Sequence, residues 1–257
     1  MPVLDRTSRY VPLLRRLFRP ETILLLGGAT GLLVLLGGMD LFSRHVMGGA
    51  ARLDEWLLLA GRDPVNPELI RGPHWVDEMV RDLTGLGGPA VLGLMTASVT
   101  AWLVLRRQHA SAVLVVVATL GGLMVSLLLK DFFMRPRPEI VPSLMVETSP
   151  SFPSGHSMIS AVVYLTLGSL LARVEEDRLV RMLFLVLAVL ITGAVGISRV
   201  LLGVHFPTDV LVGWVMGLTW ASICWYGVLL LQERGTVEPP PEDLRLEPVL
   251  DELERTA

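Results

Sequence analysis

Six stretches of this chain carry no charged side chain and reach or approach the width of a lipid bilayer: 22–39, 89–105, 110–129, 157–172, 182–198 and 210–231. A helix that crosses a bilayer needs about 17–25 such residues. Inside hydrocarbon only helices and closed barrels satisfy their own backbone hydrogen bonds, and these runs lack the alternation of barrel strands. The sequence therefore predicts an all-α integral membrane protein, a bundle of six transmembrane helices.

The overall composition agrees with a membrane protein. Hydrophobic residues make up 52 % of the 257 residues, and they are concentrated in runs rather than mixed with charge as in a soluble domain. The first run follows five arginines, as in a signal peptide, but it is long for such a segment and no convincing cleavage site follows, so we predict a retained span. Cys224 is the only cysteine, which excludes an intrachain disulfide and a thiolate metal cluster.

The placement of Lys and Arg predicts the orientation in the membrane. With the N-terminus in the cytoplasm, thirteen of the 22 basic residues fall on the cytoplasmic side. They are Arg6, Arg9, Arg15, Arg16, Arg19, Arg106, Arg107, Arg173, Arg178, Arg181, Arg234, Arg245 and Arg255. The positive-inside rule then predicts a cell (inner) membrane protein with both termini cytoplasmic. The formal net charge of −3 says little about partners; we expect membrane lipids and no nucleic acid.

The chain divides into three parts: a basic N-terminal segment 1–21, a six-span domain 22–231 and an acidic, proline-containing tail 232–257. Between the first two spans, segment 40–88 shows two helical patterns of apolar residues. The first comprises Leu53, Trp56, Leu57 and Ala60, and the second Val76, Met79, Val80 and Leu83. They predict two short interfacial helices, which either shape a lateral entry for a lipid or simply cover the bundle.

Polar residues gather at the outer ends of spans three to six. Lys130 and Arg137 lie where Pro136 and Pro138 stop the third span, and Ser154 is a good N-cap for the fourth, so that the amides near Gly155 and His156 point outward. The fifth and sixth spans are joined by a segment that contains Arg199, His205 and Asp209.

This set of residues predicts a receptor for a phosphate group. Cations and a helix N-terminus attract a phosphate dianion, and arginine suits bidentate contact. Two histidines and one carboxylate supply a nucleophile, a group that orients it and an acid for the leaving alkoxide. Taken singly, each residue also has an ordinary structural explanation as a snorkelling cation or a helix cap. Six such residues on one side of the membrane favour the phosphate site.

At these positions the sequence resembles the type 2 phosphatidic acid phosphatase and vanadium haloperoxidase superfamily. Three motifs of that family are present in order and without substitution: "KDFFMRPRP" from Lys130, "PSGH" from Pro153 and "SRVLLGVHFPTD" from Ser198. The resemblance implies a metal-independent, six-helix lipid phosphatase that needs no cofactor and whose active site faces away from the cytoplasm.

The resemblance also implies a role for each matched residue. His205 would attack phosphorus and form a phosphohistidine, Asp209 would orient it, and His156 would protonate the leaving oxygen. The residues expected to hold the phosphoryl oxygens are Lys130, Arg137, Ser154, Gly155 and Arg199. Arg135 lies outside the motif and receives no role.

Other functions remain open at this level. A vanadate-dependent haloperoxidase would use the same anion site, although six spans argue against it. A non-catalytic lipid-phosphate binder or flippase would need the cations but not the His205–Asp209 pair. A metal site formed by His156, His205 and Asp209 would be opposed by the surrounding arginines. The lipid itself is not specified: undecaprenyl pyrophosphate, phosphatidylglycerophosphate and phosphatidic acid all fit, and the oligomeric state stays open.

Overall fold

A computed structural model describes residues 49–233 of the chain. The predicted first span 22–39, the N-terminal arginines and almost all of the tail lie outside these described residues. Within 49–233 the regular structure is helical, apart from one isolated antiparallel bridge between Arg62 and Ile70. The helices are α1 Gly49–Ala60, α2 Trp75–Gly85, α3 Pro89–Leu105, α4 His109–Phe133, α5 Gly155–Val174, α6 Arg178–Leu201 and α7 Pro207–Glu233.

Four of these helices, α4 to α7, are by themselves long and apolar enough to cross a membrane. They contain the predicted runs 110–129, 157–172, 182–198 and 210–231, so these predictions are confirmed. The predicted run 89–105 coincides with α3, which meets the same criterion only together with α2, across a bend of 43°. The described residues therefore provide four spans, or five if the bent pair counts as one.

Helix α5 is the centre of the bundle. Its most apolar stretch is 67 % buried inside the protein, against 22–33 % for the other three spans. It packs closely on α7, where a Cβ at Gly213 would lie 2.8 Å from the carbonyl oxygen of Ser154 and one at Gly217 would lie 2.4 Å from that of Met158. Small residues spaced by four allow two membrane helices to approach in this way. This contact brings the start of α5 against the first turns of α7.

Two connections shape the polar end of the bundle. Helix α4 ends at Phe133 because Met134 adopts a left-handed conformation with φ 46° and prolines follow, which leaves a long segment 134–154 before α5. The connection from α6 to α7 is short and turns at Gly203, with φ 71°, where any side chain would collide with the Arg62 guanidinium.

The two helices predicted within segment 40–88 are present, and the apolar stripe of α1 is largely exposed. Leu53 and Trp56 are 53 % and 64 % exposed, whereas Asp54 and Leu58 are buried. On α2 the buried residues include Val80, as its pattern predicts. The apolar stripe of α1 therefore faces away from the protein, whereas the carboxylate of Asp54 points into the protein.

Candidate active site

The structure brings the predicted site residues together at one end of the bundle. Lys130 lies in the last turn of α4, and Arg199 lies in the last turn of α6. Ser154 caps α5, whose first residues are Gly155 and His156, and Asp209 lies in the first turn of α7. The remaining two, Arg137 and His205, belong to the connecting segments. Lys130, Arg199, His205 and Glu147 all lie within electrostatic range of His156.

His205 and Asp209 form a buried pair. The Nδ1 atom of His205 lies 3.6 Å from Oδ2 of Asp209, and both side chains are almost fully buried. The pair is close because the turn that precedes α7 places His205 beside Asp209 in the first turn of that helix. Ser151 lies between them: its hydroxyl is 2.5 Å from Asp209 Oδ2 and 3.4 Å from His205 Nδ1. The backbone N–H of Phe206 donates a further hydrogen bond to Oδ2 at 2.9 Å.

The other ring nitrogen of His205 faces the cations. The Nη1 atom of Arg137 lies 3.3 Å from His205 Nε2 and donates to the carbonyl of Val204 at 2.6 Å. A guanidinium has no acceptor, so a hydrogen bond between Arg137 and His205 requires the lone pair to be on Nε2 and the proton on Nδ1, toward Asp209. This tautomer leaves the lone pair on Nε2, on the side of the ring that faces the cations.

The imidazole of His205 is neutral at physiological pH. Burial, which disfavours the imidazolium, lowers its pKa to about 4; Asp209 opposes this shift, and the charges of Arg137 and Arg199 add to it. The environment thus keeps the ring unprotonated, the form that a nucleophilic histidine would need.

The three predicted cations hold the segment that precedes α5. Lys130 donates to the carbonyl of Pro150 at 2.5 Å, and its Nζ lies 3.4 Å from Ser149 Oγ. Arg137 donates to the carbonyl of Ser149 at 2.9 Å and to its hydroxyl at 3.2 Å. A Cβ on Gly155 would lie 3.6 Å from Lys130 Cε, so the first amides of α5 adjoin this cation.

Glu147 is an acidic residue of the site that the sequence analysis did not identify. Its carboxylate accepts a hydrogen bond from Arg199 Nη2 and lies 3.6 Å from Arg137 Nη2. Burial raises the pKa of Glu147, but the hydrogen bond and charges of Arg199 and Arg137 outweigh it and lower the pKa overall. An ionised carboxylate therefore sits between two of the guanidinium groups predicted to hold phosphate.

Two further residues were missed. Arg135, which was assigned no role, donates to Asp209 Oδ1 at 2.6 Å, and Asp54 of α1 lies 3.1 Å from Arg135 Nη2. Ser154 accepts hydrogen bonds from Ser157 as the predicted N-cap. The signal available in the sequence was weak: a second arginine beside Arg137, and one of two adjacent acidic residues, Asp54 and Glu55, in a helix with an apolar stripe.

Comparison with known proteins identifies the class. The model of the PAP2 superfamily matches residues 110–232. Phosphatidylglycerophosphatase B of Bacillus subtilis (strain 168) is 37 % identical over 155 residues, which cover 58 % of this chain and 73 % of that protein. Undecaprenyl-diphosphatase of Sulfolobus acidocaldarius is 33 % identical over 92 residues, 35 % of this chain and 40 % of that protein.

Solved structures share the architecture. The crystal structure of a transmembrane PAP2-type phosphatidylglycerolphosphate phosphatase from Bacillus subtilis superposes with a TM-score of 0.61 at 29 % identity, covering 84 % of this chain and 97 % of that one. The LpxE structure from Aquifex aeolicus shares the fold, with a TM-score of 0.52 at 24 % identity over 68 % of this chain and 94 % of that one.

The fold and the matched motifs define a multi-pass membrane phosphatase. The chain belongs to the PAP2 superfamily, so the resemblance inferred from its three motifs is confirmed.

Proposed function

We propose that the protein hydrolyses the phosphate or pyrophosphate group of a membrane lipid through a phosphohistidine on His205. The observation that carries this proposal is the two-sided environment of that ring: Nδ1 faces the buried carboxylate of Asp209, and Nε2 faces Arg137. A ring oriented in this way holds its lone pair toward the place where cations gather the phosphoryl group.

The reaction proceeds in two steps. His205 Nε2 attacks phosphorus, the bond from phosphorus to the leaving oxygen breaks, and His156 gives its proton to that oxygen. Water then attacks the phosphohistidine, His156 takes the water proton, and inorganic phosphate leaves. Asp209 holds the Nδ1 proton and stabilises the positive charge that develops on the ring.

In this mechanism the substrate phosphate replaces a carboxylate as the partner of two arginines. Arg199 and Arg137 share the Glu147 carboxylate, and the substrate phosphate takes its place between them. Lys130, Ser154 and the Gly155 amide hold the remaining oxygens as negative charge builds. Arg199 is fully buried and anchored by Thr84 Oγ1 at 3.1 Å, so its guanidinium stays in position during the exchange.

Candidate substrates are phosphatidylglycerophosphate, undecaprenyl pyrophosphate and phosphatidic acid. The first two are supported by the names of the relatives from Bacillus subtilis and Sulfolobus acidocaldarius. Following the distribution of basic residues, we place both termini in the cytoplasm and the site on the outer face of the inner membrane.

The test is a phosphate-release panel across these lipids in detergent with EDTA, together with detection of ³²P-labelled phosphohistidine. Wild-type protein is expected to release phosphate and to be inhibited by vanadate, and His205→Ala is expected to do neither. His74→Ala is the matched control, since His74 lies exposed at the start of α2 outside the site. A fully active His205→Ala protein would refute the proposal. Lipid binding without phosphate release would indicate a non-catalytic binder, and halide oxidation with added vanadate would indicate a haloperoxidase.

A further inference from the structure

A buried chain of charges runs from α1 to the catalytic carboxylate, through a residue outside the three motifs. Arg135 donates one hydrogen bond to Asp209 Oδ1 at 2.6 Å and another to Thr208 Oγ1 at 2.9 Å. Its other nitrogen lies 3.1 Å from Asp54 Oδ2, and its guanidinium stacks 4.2 Å above the Phe206 ring. This half-buried cation thus contacts both the start of α7 and α1.

Asp54 is the buried first member of this series of charged residues, and several hydrogen bonds hold it in place. It is 0 % exposed and accepts hydrogen bonds from the backbone N–H of Thr208 at 2.9 Å and from the Thr208 hydroxyl at 2.6 Å, besides the one from Arg135. A buried carboxylate is costly unless it is paired and hydrogen-bonded in this way. The predicted apolar stripe of α1 is exposed, so this carboxylate is the polar group with which α1 attaches to the site.

The two oxygens of Asp209 have different partners. Oδ2 faces His205 Nδ1 and accepts from Ser151 and the Phe206 amide, whereas Oδ1 accepts from Arg135. Without Arg135 the carboxylate loses the group that fixes its second oxygen. Its alignment with the histidine then depends on the Oδ2 contacts alone.

We propose that Arg135 and Asp54 are positioning residues for the phosphatase reaction: Asp54 holds Arg135, and Arg135 holds Asp209 in the orientation that serves His205. The inference rests on the proposed function of His205 and extends it to segment 40–88, which then contributes to catalysis. It also explains why α1 directs an acid, and not its apolar stripe, into the protein.

The proposal has an electrostatic consequence as well as a geometric one. Arg135 lies between the carboxylates of Asp54 and Asp209, so its removal leaves both buried carboxylates without their shared cation. Both charges favour protonation of the His205–Asp209 pair, and the acid limb of the rate profile moves to higher pH. The other charged or titratable groups that face the pair are Lys130, Arg137, Glu147, His156 and Arg199, and they are unchanged by this substitution.

The experiment measures kcat, KM and the pH profile of phosphate release for Arg135→Gln, Arg135→Lys and Asp54→Asn. We expect Arg135→Gln to lower kcat by about 10–100-fold, the usual cost of removing a group that orients a site residue, with little change in KM. The acid limb should move to higher pH. Lysine keeps the positive charge but lacks the planar set of donors of a guanidinium, so Arg135→Lys should recover part of the lost kcat. Asp54→Asn should show a smaller loss in the same direction.

A double-mutant cycle tests whether Asp54 acts on Asp209 through Arg135. If Asp54 acts through Arg135, the Asp54→Asn change costs less in an Arg135→Gln background than in the wild type. The matched controls are Arg81→Gln and Asp77→Asn: Arg81 donates a hydrogen bond to the Leu144 carbonyl and Asp77 accepts one from the Ile70 amide, and neither residue belongs to the proposed site. They should retain the wild-type kcat and pH profile.

The outcomes separate this inference from the proposed function. A wild-type protein without phosphatase activity would refute the function itself. An active wild type combined with unchanged kcat and acid limb in Arg135→Gln and Asp54→Asn would overturn only the positioning role. If Arg135→Gln fails to fold in detergent, Arg135→Lys and Asp54→Asn decide, and wild-type values of kcat and acid limb in both would overturn it equally.

Discussion

The two halves of the site are built differently. On the nucleophile side, Asp209 is 0 % exposed and is held by Arg135, Ser151 and a backbone amide, all within 2.9 Å. On the phosphate side, Arg137 and Arg199 are held in part by Glu147, a residue of the long segment 134–154. The first half is preorganised by fixed partners, whereas the second satisfies its cations with a carboxylate that a substrate anion can replace.

This difference has a physical basis. A nucleophile must keep one orientation throughout the reaction, and buried hydrogen bonds provide that at no reorganisation cost. An anion site must lose its charge partner on binding, because two guanidinium groups buried without any anion would be costly. In the proposed mechanism, Glu147 pairs with Arg199 and Arg137 until phosphate binds. We therefore expect substitutions in the first half to lower kcat and substitutions in the second half to change anion affinity.

The largest effect is expected for Asp209→Asn. The amide has nearly the same shape but no negative charge, so it no longer stabilises the imidazolium of His205 or fixes its tautomer. We expect kcat to fall by about 10³–10⁴-fold, the scale known for the same change in Ser-His-Asp enzymes. Initial-rate kinetics in detergent measure it, with Asp77→Asn as the control. A loss confined to KM would contradict the division of the site proposed above.

The next effect concerns pH. Because burial lowers the pKa of His205 to about 4, the nucleophile is neutral above that value and is lost by protonation as the pH falls below it. We expect the acid limb of kcat/KM near pH 4, with a tenfold loss for each further pH unit. Thermal unfolding measured at each pH shows that the protein remains folded. An acid limb near 6.5, the ordinary value for histidine, would show that the ring is not desolvated as the structure indicates.

The smallest effect is expected for Glu147→Gln. Removing the carboxylate takes away the anion that competes with phosphate for Arg199 and Arg137. The inhibition constants of inorganic phosphate and vanadate should then fall by about tenfold, since one charge-assisted hydrogen bond of about 1.5 kcal/mol no longer has to be exchanged. Glu139→Gln is the control, since Glu139 lies exposed in the same connecting segment. Unchanged or weaker inhibition would mean that phosphate does not replace Glu147.

Much of the fold was predictable from the sequence because hydrophobic periods and chain breakers act locally. The uncharged runs predicted α4 to α7, the prolines after Phe133 predicted the end of α4, and Ser154 was correctly expected to cap α5. The run 89–105 was harder to interpret. Its helix, α3, has only 17 residues and meets the criterion for a membrane span only together with α2, from which it is bent by 43°.

Candidate site residues were predictable only where they belong to spaced motifs. Glu147, Arg135 and Asp54 were missed because their partners are far away in the chain: Arg135 contacts Asp54 across 81 positions, and Arg199 contacts Glu147 across 52. Asp54, one of two adjacent acids in a helix with an apolar stripe, looks like a solvated residue in the sequence. Only its burial against Arg135 shows otherwise.

The sequence alone determined that this is a membrane protein, that α4 to α7 lie where four of the apolar runs lie, and that its three motifs resemble those of PAP2 phosphatases. Each of these follows from local composition or spacing, which does not depend on how helices pack. Only the tertiary structure decided which carboxylate each arginine meets and which face of α1 is buried. Those choices depend on long-range packing and on the need to pair every buried charge.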